Sequence, residues 1–164
     1  MHRRFTLAAA LSGALLVVAP ATAQSDNGQT LTFKEVNKGS TFKFIDNPPR
    51  AKNPRRPSVS AGDAFVVTTP LASNAGKHIG RLQATCTFTK GASSPNKAAS
   101  AICYGVFTFA QGQLDALVAM ANTNSTTTTG GIIGGTGTYA GARGTLKSVQ
   151  TKTGGNDTVT LLGS

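Results

Sequence analysis

Three observations predict an all-β chain folded as a closed antiparallel sheet. Past Gln24, short runs of β-branched and aromatic residues alternate with Gly, Pro, Asn and Ser, and no sustained 3.6-residue apolar period appears. Nine such runs can be marked: Leu31–Val36, Thr41–Ile45, Ala64–Thr69, Arg81–Thr89, Ala101–Ala110, Leu114–Met120, Thr126–Ile133, Thr145–Gln150 and Thr158–Leu162. They fit eight barrel strands and one short extension, and closure removes the unpaired edges that so large an open sheet would expose. The third observation is the segment Gly134-Gly135-Thr136-Gly137-Thr138-Tyr139-Ala140-Gly141-Ala142-Arg143-Gly144, with five glycines in eleven residues. Glycine tolerates positive φ and close backbone approach, so a sharp turn is expected between the strands on either side. The same letters contain a formal dinucleotide fingerprint from Gly135 to Ala140, but no helix follows and Asp157 alone lies near the acidic position such a site needs. A nucleotide cofactor is not expected.

The N-terminus reads Met1-His2-Arg3-Arg4, then an apolar stretch from Phe5 to Pro20, then Ala21-Thr22-Ala23. A basic region, a hydrophobic region and an A-x-A site together predict a secretory signal peptide over residues 1–23, followed by a single barrel domain over 24–164. The expected location is secreted or periplasmic, with no segment spanning a membrane. The formal net charge is +10, and Arg3 and Arg4 account for two of those charges. Arg50, Lys52, Arg55 and Arg56 cluster in a proline-rich stretch that reads as an extended loop. That loop either contacts an anionic surface or keeps the protein dissolved. No aromatic residues interleave with its charges, which argues against nucleic acid.

Cys86 and Cys103 are the only cysteines, and they stand about the polar loop Lys90–Ser100 that joins two strands. They are expected to face each other across one hairpin as a disulfide. Alternation supports this: Leu82, Ala84, Cys86 and Phe88 form the apolar face of one strand, and Cys103, Gly105, Phe107 and Phe109 share the inward face of the next. In the first strand Leu31 and Phe33 select an inward face that also carries Glu35. Inside a barrel such a carboxyl should have a raised pKa useful for proton transfer. At the rim it would instead be half-solvated or paired with an arginine. Asp63 follows a turn glycine and reads as a turn or cap residue, while Asp115 is ambiguous in side. Tyr139 and Arg143 read as packing and turn residues. His78 stands alone in a loop, and neither a metal-ligand set nor a hydrolytic triad can be assembled.

The glycine segment closely resembles one found in dirigent proteins and in bacterial relatives of plant allene oxide cyclases. The likeness extends, in order, through Gly62-Asp63 to Leu71, Gly80-Arg81, Cys86 and Cys103 to Gln113, and covers about Leu31 to Leu162. It implies an eight-stranded antiparallel β-barrel that binds a hydrophobic small molecule, a lipid or a phenolic, and guides its cyclisation or stereoselective coupling without metal or nucleotide cofactor. It also implies a homodimer or homotrimer. In the cyclases the first strand carries a glutamate and, two residues on, an asparagine, which Glu35 and Asn37 match as the implied catalytic pair. Ser40 matches a serine of their water site, although Thr41 replaces the adjacent proline. Val67 falls where those enzymes have phenylalanine and Thr69 where they have a second asparagine. With Phe33 and Phe107 these residues form the implied ligand-binding set. The alternative is a non-catalytic carrier of hydrophobic ligands or a surface-interaction protein, and a packed rather than hollow interior would favour it.

Overall fold

A computed structural model describes residues 28–48, 58–92 and 98–163. The expected signal peptide and the basic cluster Arg50, Lys52, Arg55 and Arg56 lie outside the described residues. Nine strands follow in chain order: β1 (Thr30–Val36), β2 (Thr41–Ile45), β3 (Ala64–Ala72), β4 (His78–Lys90), β5 (Ser100–Phe109), β6 (Gly112–Met120), β7 (Thr127–Gly137), β8 (Gly144–Thr151) and β9 (Gly154–Leu161). No helix occurs among the described residues. Sequential neighbours pair antiparallel from β2 through β9, β9 pairs β1 along its whole length, and β1 returns to β3 through Lys34 opposite Ala72 and Glu35 opposite Leu71. The ring therefore has eight strands, as the sequence predicts, and β2 is the extension.

The seam of this ring shapes everything that follows. One edge of β3 is shared: β1 pairs its Ala72 end, and the chain then slips register through residues 37–40 so that β2 pairs its Ala64 end, with Thr41 opposite Thr68 and Ile45 opposite Ala64. Beyond β3, β2 has no second partner strand among the described residues. Its Phe42 stands 65% exposed although it faces the interior side and stacks on Phe65 at 5.4 Å. The barrel wall is thus parted beside β2.

Most strands are longer than the sequence suggests. The strand β3 runs on through Pro70, in register with Arg81, to Ala72, and its one register irregularity against β4 follows Leu71. Its neighbour β4 begins at His78, so that residue is strand and not loop. At the glycine segment the expected turn is shorter than predicted, because β7 continues through Gly134, Gly135 and Gly137 and the connection occupies residues 138–143. These glycines serve close approach as well as turning. A Cβ on Gly135 would collide with the Tyr139 and Gln113 carbonyls, whereas Gly137 and Gly141 take φ of 61° and 75°.

Alternation fills the interior unevenly. Towards the β5–β6 and β7–β8 turns, Phe33 meets Phe107 and Phe109 edge-on at 5.3 and 5.4 Å, and Phe109 meets Tyr139 at 5.9 Å. Leu71, Leu114 and Val159 are completely buried beside them. These side chains plug that half of the barrel with close-packed apolar surface. Tyr139 is buried and its hydroxyl accepts a hydrogen bond from Gln111 Nε2 at 3.2 Å, while Arg143 is exposed and donates to the Ala142 carbonyl at 2.8 Å. Both act in packing and turn stabilisation. Asp63 is buried at the start of β3, where its carboxylate accepts from the backbone N–H of Asn47 at 3.0 Å and of Ser60 at 2.7 Å. It fastens both ends of the β2–β3 connection. The Asp115 side is also settled: it shares the outer face of β6 with exposed Leu117.

A carboxyl pair in a hollow barrel end

The other half of the barrel is hollow. A cavity of about 590 Å³ opens between the loops at that end, within the size range of small-molecule sites. Its walls are chiefly apolar, with Phe42, Phe65, Val67, Phe88, Phe107 and Met120 contributing. The Cys86–Cys103 disulfide forms part of one wall, the two cysteines standing directly opposite each other between β4 and β5 as predicted. Small polar residues Asn124, Ser125 and Thr128 line its mouth.

Glu35 brings acidity to this apolar space. It follows Phe33 on the inward face of β1, in register with Leu71 on β3 and with Gly155 on β9. Gly155 has no side chain, and the Glu35 carboxyl lies across the vacated position: a Cβ there would stand 3.3 Å from Glu35 Cδ and 3.5 Å from Gln150 Nε2. Two residues further along the same face of β9 is Asp157, opposite Ser148 on β8. Glu35, Ser148 and Gln150 line the cavity, and Asp157 lies behind them, 2% exposed. Neither Asp157 oxygen nor Ser148 Oγ reaches good hydrogen-bond geometry among the described residues, although the Ser148 hydroxyl and the Glu35 carboxyl both lie close enough to act on the Asp157 carboxylate. Buried polar atoms are ordinarily satisfied, and here Glu35, Asp157 and Ser148 have chiefly one another to turn to.

Burial first, and the neighbouring Asp157 charge second, push the Glu35 carboxyl up to about 8. Burial also raises Asp157, partly offset by Ser148 and Glu35. Two buried carboxyls side by side resist ionising together, so the pair retains a proton at neutral pH. Such a group can donate that proton to a ligand or take one from it. Gly155→Ala tests the arrangement. The added methyl should displace the Glu35 carboxyl, move its titration down towards the ordinary carboxyl range in a carbon NMR titration and cost about 1 kcal/mol of stability. An unchanged titration would mean that the carboxyl does not depend on the space above Gly155.

Of the remaining residues of the expected site, two reach this cavity and four do not. Val67 and Phe107 line it. Phe33 belongs to the apolar plug, and Thr69 is buried on β3. Asn37 is exposed in the β1–β2 connection, with Nδ2 donating to the Lys152 carbonyl at 3.5 Å, and Ser40 Oγ donates to the Val36 carbonyl at 2.9 Å. Asp157, Ser148 and Gln150 were not singled out from sequence. Among the described residues no group of three or more His, Cys, Asp or Glu is placed to hold a metal ion, and no helix is long and apolar enough to cross a membrane.

No family model matches this sequence, and no curated protein matches it. Solved structures do resemble it. One described as pyocyanin demethylase superposes with TM-score 0.65 at 22% identity, covering 81% of this chain and 99% of that one. The Diels Alderase AbmU from Streptomyces koyangensis superposes with TM-score 0.62 at 19% identity over 82% of this chain, which spans 64% of the AbmU chain. The pterocarpan synthase dirigent protein PsPTS1 gives 0.55 at 19% identity, covering 84% of this chain and 94% of that one. At these identities the likeness establishes the fold, a barrel of the dirigent-like and cyclase-like kind.

Proposed function

We propose that this is an exported barrel that binds a hydrophobic small molecule in the cavity and guides its cyclisation or stereoselective coupling. One observation carries the reading: an apolar cavity of about 590 Å³ meets, at its inner wall, a carboxyl whose proton affinity is tuned to neutral pH. The walls, with Val67 and Phe107 among them, fix the conformation of a flexible substrate, which lowers the entropic part of a ring-closing barrier. Glu35 exchanges the proton, and Asp157 behind it keeps that proton bound until the ligand needs it. Export rests on the sequence of residues 1–23 and agrees with a disulfide, which persists in oxidising compartments.

The test begins with mass spectrometry of material extracted from the purified native protein. Two substrates then follow: an unsaturated fatty-acid epoxide, and a phenol coupled through an added one-electron oxidant. Chiral chromatography should show one enantiomer in excess with either. Glu35→Gln should lower the rate or the excess by about 100-fold or more if proton transfer is involved. Racemic products with both substrates, together with no co-purified compound, would overturn the guiding role. Co-purified ligand with no turnover would identify a carrier instead.

A further inference from the structure

The charge distribution around the cavity narrows its ligand further. The sequence carries 16 Lys and Arg residues, yet among the described residues no Lys, Arg or His lines the cavity. Its inner wall instead holds Glu35 with Asp157 behind it, and Ser148, 8% exposed, stands at the cavity wall beside them. Buried carboxyls are costly unless a positive charge or several donors face them, and the described residues supply no positive charge and few donors beyond the Ser148 hydroxyl. The cavity also presents aromatic rings from β2 to β5: Phe42 and Phe65 lie 5.4 Å apart, Phe65 and Phe88 5.7 Å apart, and Phe107 lines the wall. Aromatic faces attract cations, most strongly where water is excluded.

We propose that the cavity is built for an apolar ligand that bears a positive charge, or acquires one by taking a proton from Glu35, and that it rejects carboxylates. This inference rests on the small-molecule reading above and adds the charge of the ligand to it. The groups facing Glu35 from the elements packed on it are Leu71 on β3, Gly155 and Asp157 on β9, and Ser148 and Gln150 on β8. Asp157 is the one other titratable group in that set. A ligand that arrives as a fixed cation therefore ionises Glu35 and expels its proton, whereas a weak base keeps the proton within the complex. Either way the positive charge ends beside the carboxyl pair, in a cavity that also holds aromatic rings.

Three tricyclic probes of matched shape separate the alternatives: 10-methylacridinium, anthracene and anthracene-9-carboxylate. In fluorescence titrations at pH 7 the acridinium should bind at least tenfold more tightly than anthracene, and the carboxylate at least tenfold more weakly. Calorimetry in two buffers of different ionisation enthalpy should show up to one proton released per acridinium bound and none for anthracene. Acridinium affinity should rise towards pH 8, as less proton is left to expel. Glu35→Gln should remove most of the cation preference and leave anthracene binding within twofold. Val67→Phe, which fills the cavity, should weaken all three probes and so place them inside the barrel. Anthracene binding with no cation preference, or a preference unchanged in Glu35→Gln, would overturn the inference and leave the small-molecule reading standing. Failure of all three probes to bind would overturn both.

Discussion

Stability should fall as pH rises from about 5 to about 8, the reverse of the usual behaviour of a protein held by carboxylate interactions. The sign follows from Glu35. Its folded-state pKa is about 8 against an ordinary 4.5, so between those values the folded chain holds a proton that the unfolded chain releases. Stability declines with pH wherever the folded state binds more protons, and this shift corresponds to a loss on the order of 4 kcal/mol across the window. Asp157, raised by burial, acts in the same direction. Urea denaturation at pH 4.5, 6 and 8 measures the effect. Glu35→Gln should flatten the dependence and leave the variant more stable than the native chain at pH 8 by a few kcal/mol, with little difference at pH 4.5. Native stability that is flat or rising over this range would show that Glu35 is not held in a dry wall, and the proton-exchange role would fall with it. If the prediction holds, the pair is maintained against stability, and groups maintained in that way are kept for what they do to a ligand.

The closed sheet was legible because its signals are local. Alternation in β4 and β5 fixed the inward faces, the same alternation put Cys86 opposite Cys103, and Phe33 carried Glu35 to the interior. The carboxyl pair was only half legible. Asp157 shares its parity with Val159 and Leu161, an inward face, but the β-branched run legible in the sequence spans Thr158–Leu162 and leaves the aspartate just outside it. The structure shows why strand persists there: β9 pairs β1 down to Gly154, and the missing side chain at Gly155 is the space that the Glu35 carboxyl uses. Ser148 and Gln150 carried a usable signal, since both share the face of buried Leu146. The hollow end could not be read from sequence. It arises because β2 slips register and leaves the ring open beside Phe42, and because the large rings of Phe33, Phe109 and Tyr139 gather at the opposite end. Those are pairings between distant parts of the chain, which periodicity within one strand does not encode.

Removing the disulfide with Cys86→Ala and Cys103→Ala together should cost about 3 kcal/mol. The cysteines are 17 residues apart, and in the chain-entropy model cross-linking a loop of that length restricts the unfolded ensemble by about this amount. Alanine is the informative replacement, because serine would add two hydroxyl groups to an apolar wall and introduce a second penalty. Both cysteines are buried, at 4% and 9% exposure, so some loss of packing accompanies the lost cross-link. Equilibrium urea denaturation at one pH, with the native chain measured both oxidised and reduced, separates the two contributions: reduction removes the bond alone, and the alanine variant removes the bond and the sulfur atoms. Reduced native chain within 1 kcal/mol of oxidised would mean that β4 and β5, aligned residue by residue from Gly80 opposite Phe109 to Phe88 opposite Ala101, already hold the hairpin together unaided. The larger outcome ties stability to location. A barrel that depends on this bond gives up part of its margin wherever thiols are kept reduced, and retains it in the oxidising compartments to which the N-terminal segment is proposed to direct the chain.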